Sequence, residues 1–214
     1  MRLLAIDRST NVTSLALATE DGIIGRILEH ADVRGADWPV RTHDFLAEQD
    51  VACGDLDRIV VGTGPGSFAG IRSALAFAQG LAIGIRSRHA ALAGDPVVYG
   101  LPSAAALALD EGLSAVVGDA RRGLFWVVVY EGARKTADFR LVGADGLEGA
   151  VPSGARVVTP DGARIGEALG ARFGARFDGN GIPRAERLAA LALAQPDALV
   201  PEPLPIYLSP AVRG

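Results

Sequence analysis

The 214-residue chain contains one cysteine, one methionine, three histidines and a single lysine, Lys135. With Cys53 alone, no internal disulfide can form and no cluster of thiolates can hold a metal. His30, His43 and His89 stand far apart, and neither His-x-x-x-His nor His-Glu-x-x-His occurs. The net charge is only −4, which excludes a chain-wide basic field of the kind that holds nucleic acid. Scarce lysine beside abundant Ala, Gly and Pro reads as the coding bias of a GC-rich genome. Asp7 and Arg8 break the first apolar run too early for a signal peptide. The most apolar helix candidate, residues 71–85, is shorter than the roughly 20 residues a membrane span needs. A cytoplasmic protein with no membrane contact is expected.

What is present is apolar and patterned. Hydrophobic residues make up 49% of the chain, enough for a packed core. Leu3, Leu4, Ala5 and Ile6 form a short run ending at Asp7, as a buried strand would. A second run extends from Val12 to Ala18, and a third begins at Ile23 after Glu20-Asp21-Gly22. Asp-Gly between two such runs is a strong hairpin signal. Three antiparallel strands are therefore expected, with Asp7, Arg8, Ser9 and Thr10 in the first turn. A helix over 40–49, a strand over 56–62, a glycine-rich turn and a helix over 71–85 complete the order of a ribonuclease-H-like α/β core. The second half predicts helices over 101–109, 164–169 and 185–194, and strands over 115–117, 124–130, 136–142 and 156–159. Pro196, Pro201, Pro203, Pro205 and Pro210 predict an extended tail. A boundary near Gly94-Asp95-Pro96 divides the chain into lobes of residues 1–95 and 96–214.

The most distinctive stretch is Gly64-Pro65-Gly66-Ser67-Phe68-Ala69-Gly70. Glycines between a strand and a helix let amides converge where the helix dipole favours an anion. No Gly-Lys-Ser/Thr follows, so it is not a Walker loop, and Pro65 breaks Gly-x-Ser-x-Gly. Gly64, Gly66 and Ala69 do satisfy the looser dinucleotide pattern Gly-x-Gly-x-x-Ala, but no strand ending in an acid follows near residues 84–89. An anion site and a tight turn that binds nothing both remain open. The same holds for Asp7, Ser9 and Thr10: a carboxylate with two hydroxyls suits phosphate oxygens, and equally satisfies its own turn.

The helix over 71–85 is apolar almost all round. Ile71, Leu75, Ala78, Leu81, Ala82 and Ile85 share one face, and Ser73, Ala76, Gly80 and Ile83 the other, with Phe77 beside them. Such a helix must be covered on both sides, either by the helix over 40–49 or by a partner protein. Asp119-Ala120-Arg121-Arg122-Gly123 reads as an arginine clamp for an anion or as a solvated hairpin turn. Nothing in the spacing supports a Ser67, His43 and Asp119 triad. No catalytic or metal-ligating constellation is expected.

Residues 4–10, 61–72, 119–123 and 205–208 together resemble the TsaB (YeaZ) family, in the family's order. The resemblance implies a two-lobed actin/Hsp70-like (ASKHA) fold with a reduced second lobe. It implies a non-catalytic subunit that pairs with its paralogue TsaD and the ATPase TsaE. Together these place threonylcarbamoyl on the tRNA adenosine beside the anticodon. TsaD carries the catalytic metal, in keeping with a scaffold role here; this chain is expected to meet tRNA indirectly and, when alone, to be either a monomer or a homodimer. Arg72, Ser73, Ala76, Phe77, Gly80 and Ile83 become the partner interface. Asp7, Ser9, Thr10, Gly64, Gly66 and Ser67 become the nucleotide-phosphate candidates, with ATP or ADP and Mg at that interface as the candidate cofactor.

The sequence departs from the family pattern at Arg8 and Ala69, where threonine is usual, and in a shorter stretch between residues 42 and 56. The first two weigh against nucleotide binding by this chain, the third against the full extent of the family's interface. The alternatives are a nucleotide-dependent ASKHA phosphotransferase, an NAD(P)-binding protein and, third, a peptidase.

Overall fold

The computed structural model describes residues 1–30, 37–88 and 97–208. The elements in chain order are β1 (Arg2–Asp7), β2 (Val12–Thr19), β3 (Gly22–His30), α1 (Trp38–Glu48), β4 (Arg58–Gly62), α2 (Phe68–Arg88) and β5 (Val98–Leu101). There follow β6 (Leu113–Arg121), β7 (Leu124–Glu131), β8 (Arg134–Lys135), β9 (Arg140–Gly143), α3 (Leu147–Ala150), β10 (Arg156–Thr159) and α4 (Gly162–Phe173). The chain ends with β11 (Phe177–Asn180), α5 (Ala185–Ala194) and β12 (Val200–Pro201). This is a two-lobed α/β fold of the ASKHA type, and its two compact units are Met1–Ala106 with Pro183–Ile206, and Leu107–Ile182 with Tyr207 and Leu208.

The first unit is a six-stranded sheet in the order β12-β5-β4-β1-β2-β3. β1, β2 and β3 are antiparallel neighbours, whereas β4 joins β1 and β5 joins β4 in parallel. That is the ribonuclease-H-like order. β1 reads as one apolar run because both faces of the sheet are covered. Leu4 and Ile6, with Leu15, Leu17, Ile59 and Val61, pack under α1 and α2. α5 packs on the same strands, and its Leu188 and Ala189 are fully buried. Each large side chain so enclosed contributes about 1.5–3 kcal/mol over its exposed state.

The second unit is a sheet in the order β11-β10-β6-β7-β8, with β9 also paired to β7. β10 and β11 run parallel to β6 and to each other, while β7 is antiparallel to β6. Its core joins Val117, Val127 and Val157 to Leu147 of α3 and to Leu169 and Phe173 of α4.

Four expectations change. The division does not follow a cut at 95/96, because β5 pairs with β4 and α5 returns to the first sheet; Gly94–Pro96 themselves, like His89 and Pro210, lie outside the described residues. In place of a helix over 101–109, Leu101 ends strand β5 and only Ser103–Leu107 coils, as a 3-10 turn. The proline tail is not merely extended, since Val200 and Pro201 pair antiparallel with Gly100 and Tyr99. Pro201 is tolerated there because β12 is an edge strand. Finally, α2 runs for 21 residues, long and apolar enough to cross a membrane by length and composition. Packing accounts for one of its faces: Ile71, Ala74, Leu75, Ala78, Ala82 and Ile85 are all buried in the first unit's core.

Candidate functional site

The glycine turn joins β4 to α2, and the close approach of the β1–β2 hairpin dictates its composition. A Cβ on Gly66 would collide with the carbonyl oxygen of Ser9, and one on Gly70 with that of Arg8. The Ser67 amide donates to the Ser9 carbonyl at 2.7 Å. Gly64, at φ +90°, lies in the left-handed region that favours glycine, and its peptide bond to Pro65 is cis. The Ser67 hydroxyl accepts the Gly70 amide at 3.2 Å and so caps the first turn of α2. The Gly64 amide donates to the Ser103 hydroxyl at 3.0 Å, and the Thr63 amide to the Leu101 carbonyl at 2.8 Å. The amides of Thr63, Gly64, Ser67 and Gly70 are thus spent inside the unit.

The hairpin turn is likewise occupied with itself. Asp7 is 1% exposed, and its Oδ1 accepts both the Ser9 amide and the Ser9 hydroxyl, at 2.9 and 2.7 Å. Thr10, half-buried, accepts the Val12 amide. Burial pushes the Asp7 carboxyl above its ordinary value; the nearby Ser103 and Ser9 hydroxyls and the Ser9 amide oppose that shift. The inward-facing Asp7 carboxylate and the Gly64 and Gly70 amides, which already have acceptors, are thus not turned toward a ligand.

Arg8 turns away from the hairpin loop. Its guanidinium donates to Thr13 at 3.1 Å and to Ser73 at 2.6 Å, and lies 4.7 Å from the Trp38 ring centroid. It therefore ties the hairpin to α1 and α2, and burial lowers its pKa. No sequence signal distinguished that role from a charge in the loop.

On α2 the six predicted interface residues divide. Ser73 receives Arg8, and the Phe77 ring meets Trp38 edge-on at 4.5 Å, so both also serve the unit's own packing. Arg72, Ala76, Gly80 and Ile83 are exposed, Ile83 to 71%. Phe68, 57% exposed, carries the Arg72 guanidinium over its ring at 4.9 Å. A Cβ on Gly80 would meet nothing within 4 Å. α1 covers only the Phe77 side, and a groove of about 920 Å³ opens between α1, the turn at Cys53 and α2, lined among others by His43, Ala47, Cys53 and Gly80.

The other candidates are drawn into local structure. The His43 imidazole lies 3.5 Å from the Asp44 carboxylate, not from Ser67. Asp119 accepts Arg164 Nε at 2.7 Å and the Arg121 amide at 2.8 Å, and its own amide donates to Asp161. That network fastens the β6–β7 turn to the start of α4, leaving Arg121 and Arg122 exposed with positive φ. Among the described residues, no three His, Cys, Asp or Glu side chains gather as metal ligands.

Residues 39–141 match the family model described as TsaD, tRNA N6-adenosine threonylcarbamoyltransferase. Over 136 residues the chain is 31% identical to the tRNA threonylcarbamoyladenosine biosynthesis protein TsaB of Bacillus subtilis (strain 168), covering 61% of this chain and 56% of that protein. Over 88 residues it is 34% identical to the Escherichia coli (strain K12) TsaB, covering 39% and 36% respectively. The matched part thus spans about half or less of each of these relatives. Among solved structures, YeaZ from Pseudomonas aeruginosa superposes with a TM-score of 0.74 at 26% identity, over 97% of this chain and 99% of that one. A second structure, described as an uncharacterized protein with similarity to peptidase YeaZ from Pseudomonas aeruginosa, gives 0.76 at the same identity and coverage.

Proposed function

We propose that this chain, similar over part of its length to TsaB proteins and along nearly all of it to the YeaZ structure, is the non-catalytic, partner-binding subunit of the machinery that adds threonylcarbamoyl to the tRNA adenosine beside the anticodon. The observation that carries this reading is the outward face of α2. Ala76, Gly80 and Ile83 stand exposed on a helix whose other face is core. Small residues there let a second helix approach closely, and Ile83 offers an apolar side chain to bury.

The partner is a TsaD-type paralogue, with a TsaE-type ATPase joining the pair, and alone the chain closes the same face in a homodimer. ATP or ADP with Mg belongs to the joint interface, where the partner supplies the phosphate ligands that the glycine turn does not. The mild negative charge leaves tRNA to the partner. The complex works in the cytoplasm.

The test is binding of a TsaD-type paralogue to the wild-type chain and to Ala76→Glu and Gly80→Glu. Both variants are expected to keep the wild-type melting temperature and lose at least about tenfold in affinity, as a desolvated charge at a packed interface should. Unchanged affinity in both would sink the assignment of this face.

A further inference from the structure

The Asp119-Ala120-Arg121-Arg122-Gly123 turn is a sequence motif to which the proposed function assigns no role. It closes the β6–β7 hairpin, wholly within the second unit. Arg121 pairs with Leu124, so the loop itself is Arg122 and Gly123, at φ +54° and +76°. Arg121, beside a bulge in the pairing, lies at φ +69°. Two-residue loops of this left-handed kind favour Asn-Gly or Asp-Gly, whose first residue tolerates positive φ. Arginine has no such advantage, yet two in succession hold the left-handed region here. Strain of that kind persists where the surroundings enforce it.

The surroundings do enforce it. Asp119 Oδ1 accepts the Arg121 amide at 2.8 Å, and its Oδ2 accepts Arg164 Nε at 2.7 Å. The same Oδ2 lies 3.5 Å from a terminal nitrogen of Arg121. Asp161 accepts the Asp119 amide at 2.8 Å, pairs with Arg164, and donates its own amide to Thr159 at 3.0 Å. Both carboxylates are thereby committed to bracing the hairpin against the start of α4. The guanidiniums of Arg121, Arg122 and Arg164 face these two acids, and Arg122 has no ion pair or hydrogen bond among the described residues. Arg121 is 68% exposed, and a Cβ on Gly123 would meet nothing within 4 Å, so the tip stands clear of the described chain.

An exposed, braced pair of arginines with surplus positive charge fits phosphate oxygens. A guanidinium meets phosphate through a planar fork of donors and needs no apolar surface around it. A protein partner requires an apolar centre to bury, and beside the arginines the tip offers only Gly123 and Leu124, the latter 39% exposed.

We propose that Arg121 and Arg122 form a fingertip that contacts the phosphate backbone of RNA, held in position by Asp119, Asp161 and Arg164. The choice of RNA rests on the proposed function, in which the machinery acts on tRNA. With a net charge of −4 the chain leaves most of the RNA affinity to its partner, and the fingertip adds one local, salt-sensitive contact. Such a contact positions the RNA without reading its sequence.

The test is an amide NMR titration of the whole chain with an unmodified tRNA transcript. The Arg121, Arg122 and Gly123 amides should shift, and a transcript of unrelated sequence should shift them equally. The affinity should fall about tenfold as salt rises from about 50 to about 200 mM, as expected for two phosphates. Arg121→Gln combined with Arg122→Gln should abolish the shifts. Arg122→Asn restores the favoured Asn-Gly loop, and should reduce the shifts while raising the urea midpoint. A lowered midpoint in Arg122→Asn would show the arginine serving the fold and overturn the proposal. So would tip amides that stay still with tRNA, or that move as far in the double glutamine variant. Movement with polyglutamate but not with tRNA would overturn it in favour of an acidic protein segment. The isolated chain is titrated, so none of these results depends on the face of α2, which binding of the paralogue tests separately.

Discussion

The Ser67 amide points at the Ser9 carbonyl oxygen, 2.7 Å away, and this one bond joins the glycine turn to the first hairpin. An amide so engaged is withdrawn from any ligand. The glycines on either side of it, Gly66 and Gly70, are small because hairpin backbone lies against them.

Alanine at Gly66 or Gly70 should therefore destabilise the chain by about 1–3 kcal/mol in urea unfolding, since a rigid carbonyl must move aside. Alanine at Gly80 has open space and helical surroundings, and should be neutral or stabilise by about 0.5–1 kcal/mol. Equal losses at all three positions would contradict this account of the turn.

Arg8→Lys should cost about 2 kcal/mol although the charge is kept. A lysine cannot donate to Thr13 and Ser73 while lying flat over Trp38. A variant within about 0.5 kcal/mol of wild type would show that the fork carries no weight.

Tyr130→Phe should stabilise the second unit by about 1 kcal/mol. The hydroxyl is fully buried on β7 without a hydrogen-bond partner among the described residues, and burial drives its pKa upward. A lowered midpoint would instead reveal a partner for that hydroxyl.

Titration calorimetry of the isolated chain with ATP, ADP and NAD is expected to give no binding heat, because four amides of the glycine turn already have acceptors. Saturable heat with ATP would favour a phosphotransferase, and with NAD a dinucleotide-binding protein.

Much of the first unit was legible because its signals are local. The Asp-Gly hairpin, the apolar run ending at Asp7 and the two-sided apolar helix each sit within one stretch of sequence. β5 was missed because Val98 to Leu101 is only four residues between prolines, too short to show alternation. The candidate site was legible in its residues but not in its directions: Arg8 read as a loop charge, and only the structure turns it onto Trp38.

The opening order of three strands, helix, strand and helix, and the surplus of apolar surface on α2, follow from the sequence alone, since periodicity and turn chemistry act over a few residues. Which surfaces meet was decided in three dimensions. The Ser14 hydroxyl receives an amide 171 residues away at the start of α5, and β12 closes the sheet beside β5. Contacts of that span depend on the whole core assembling. No local pattern records whether a glycine is small to admit a phosphate or, as here, to admit the chain's own backbone.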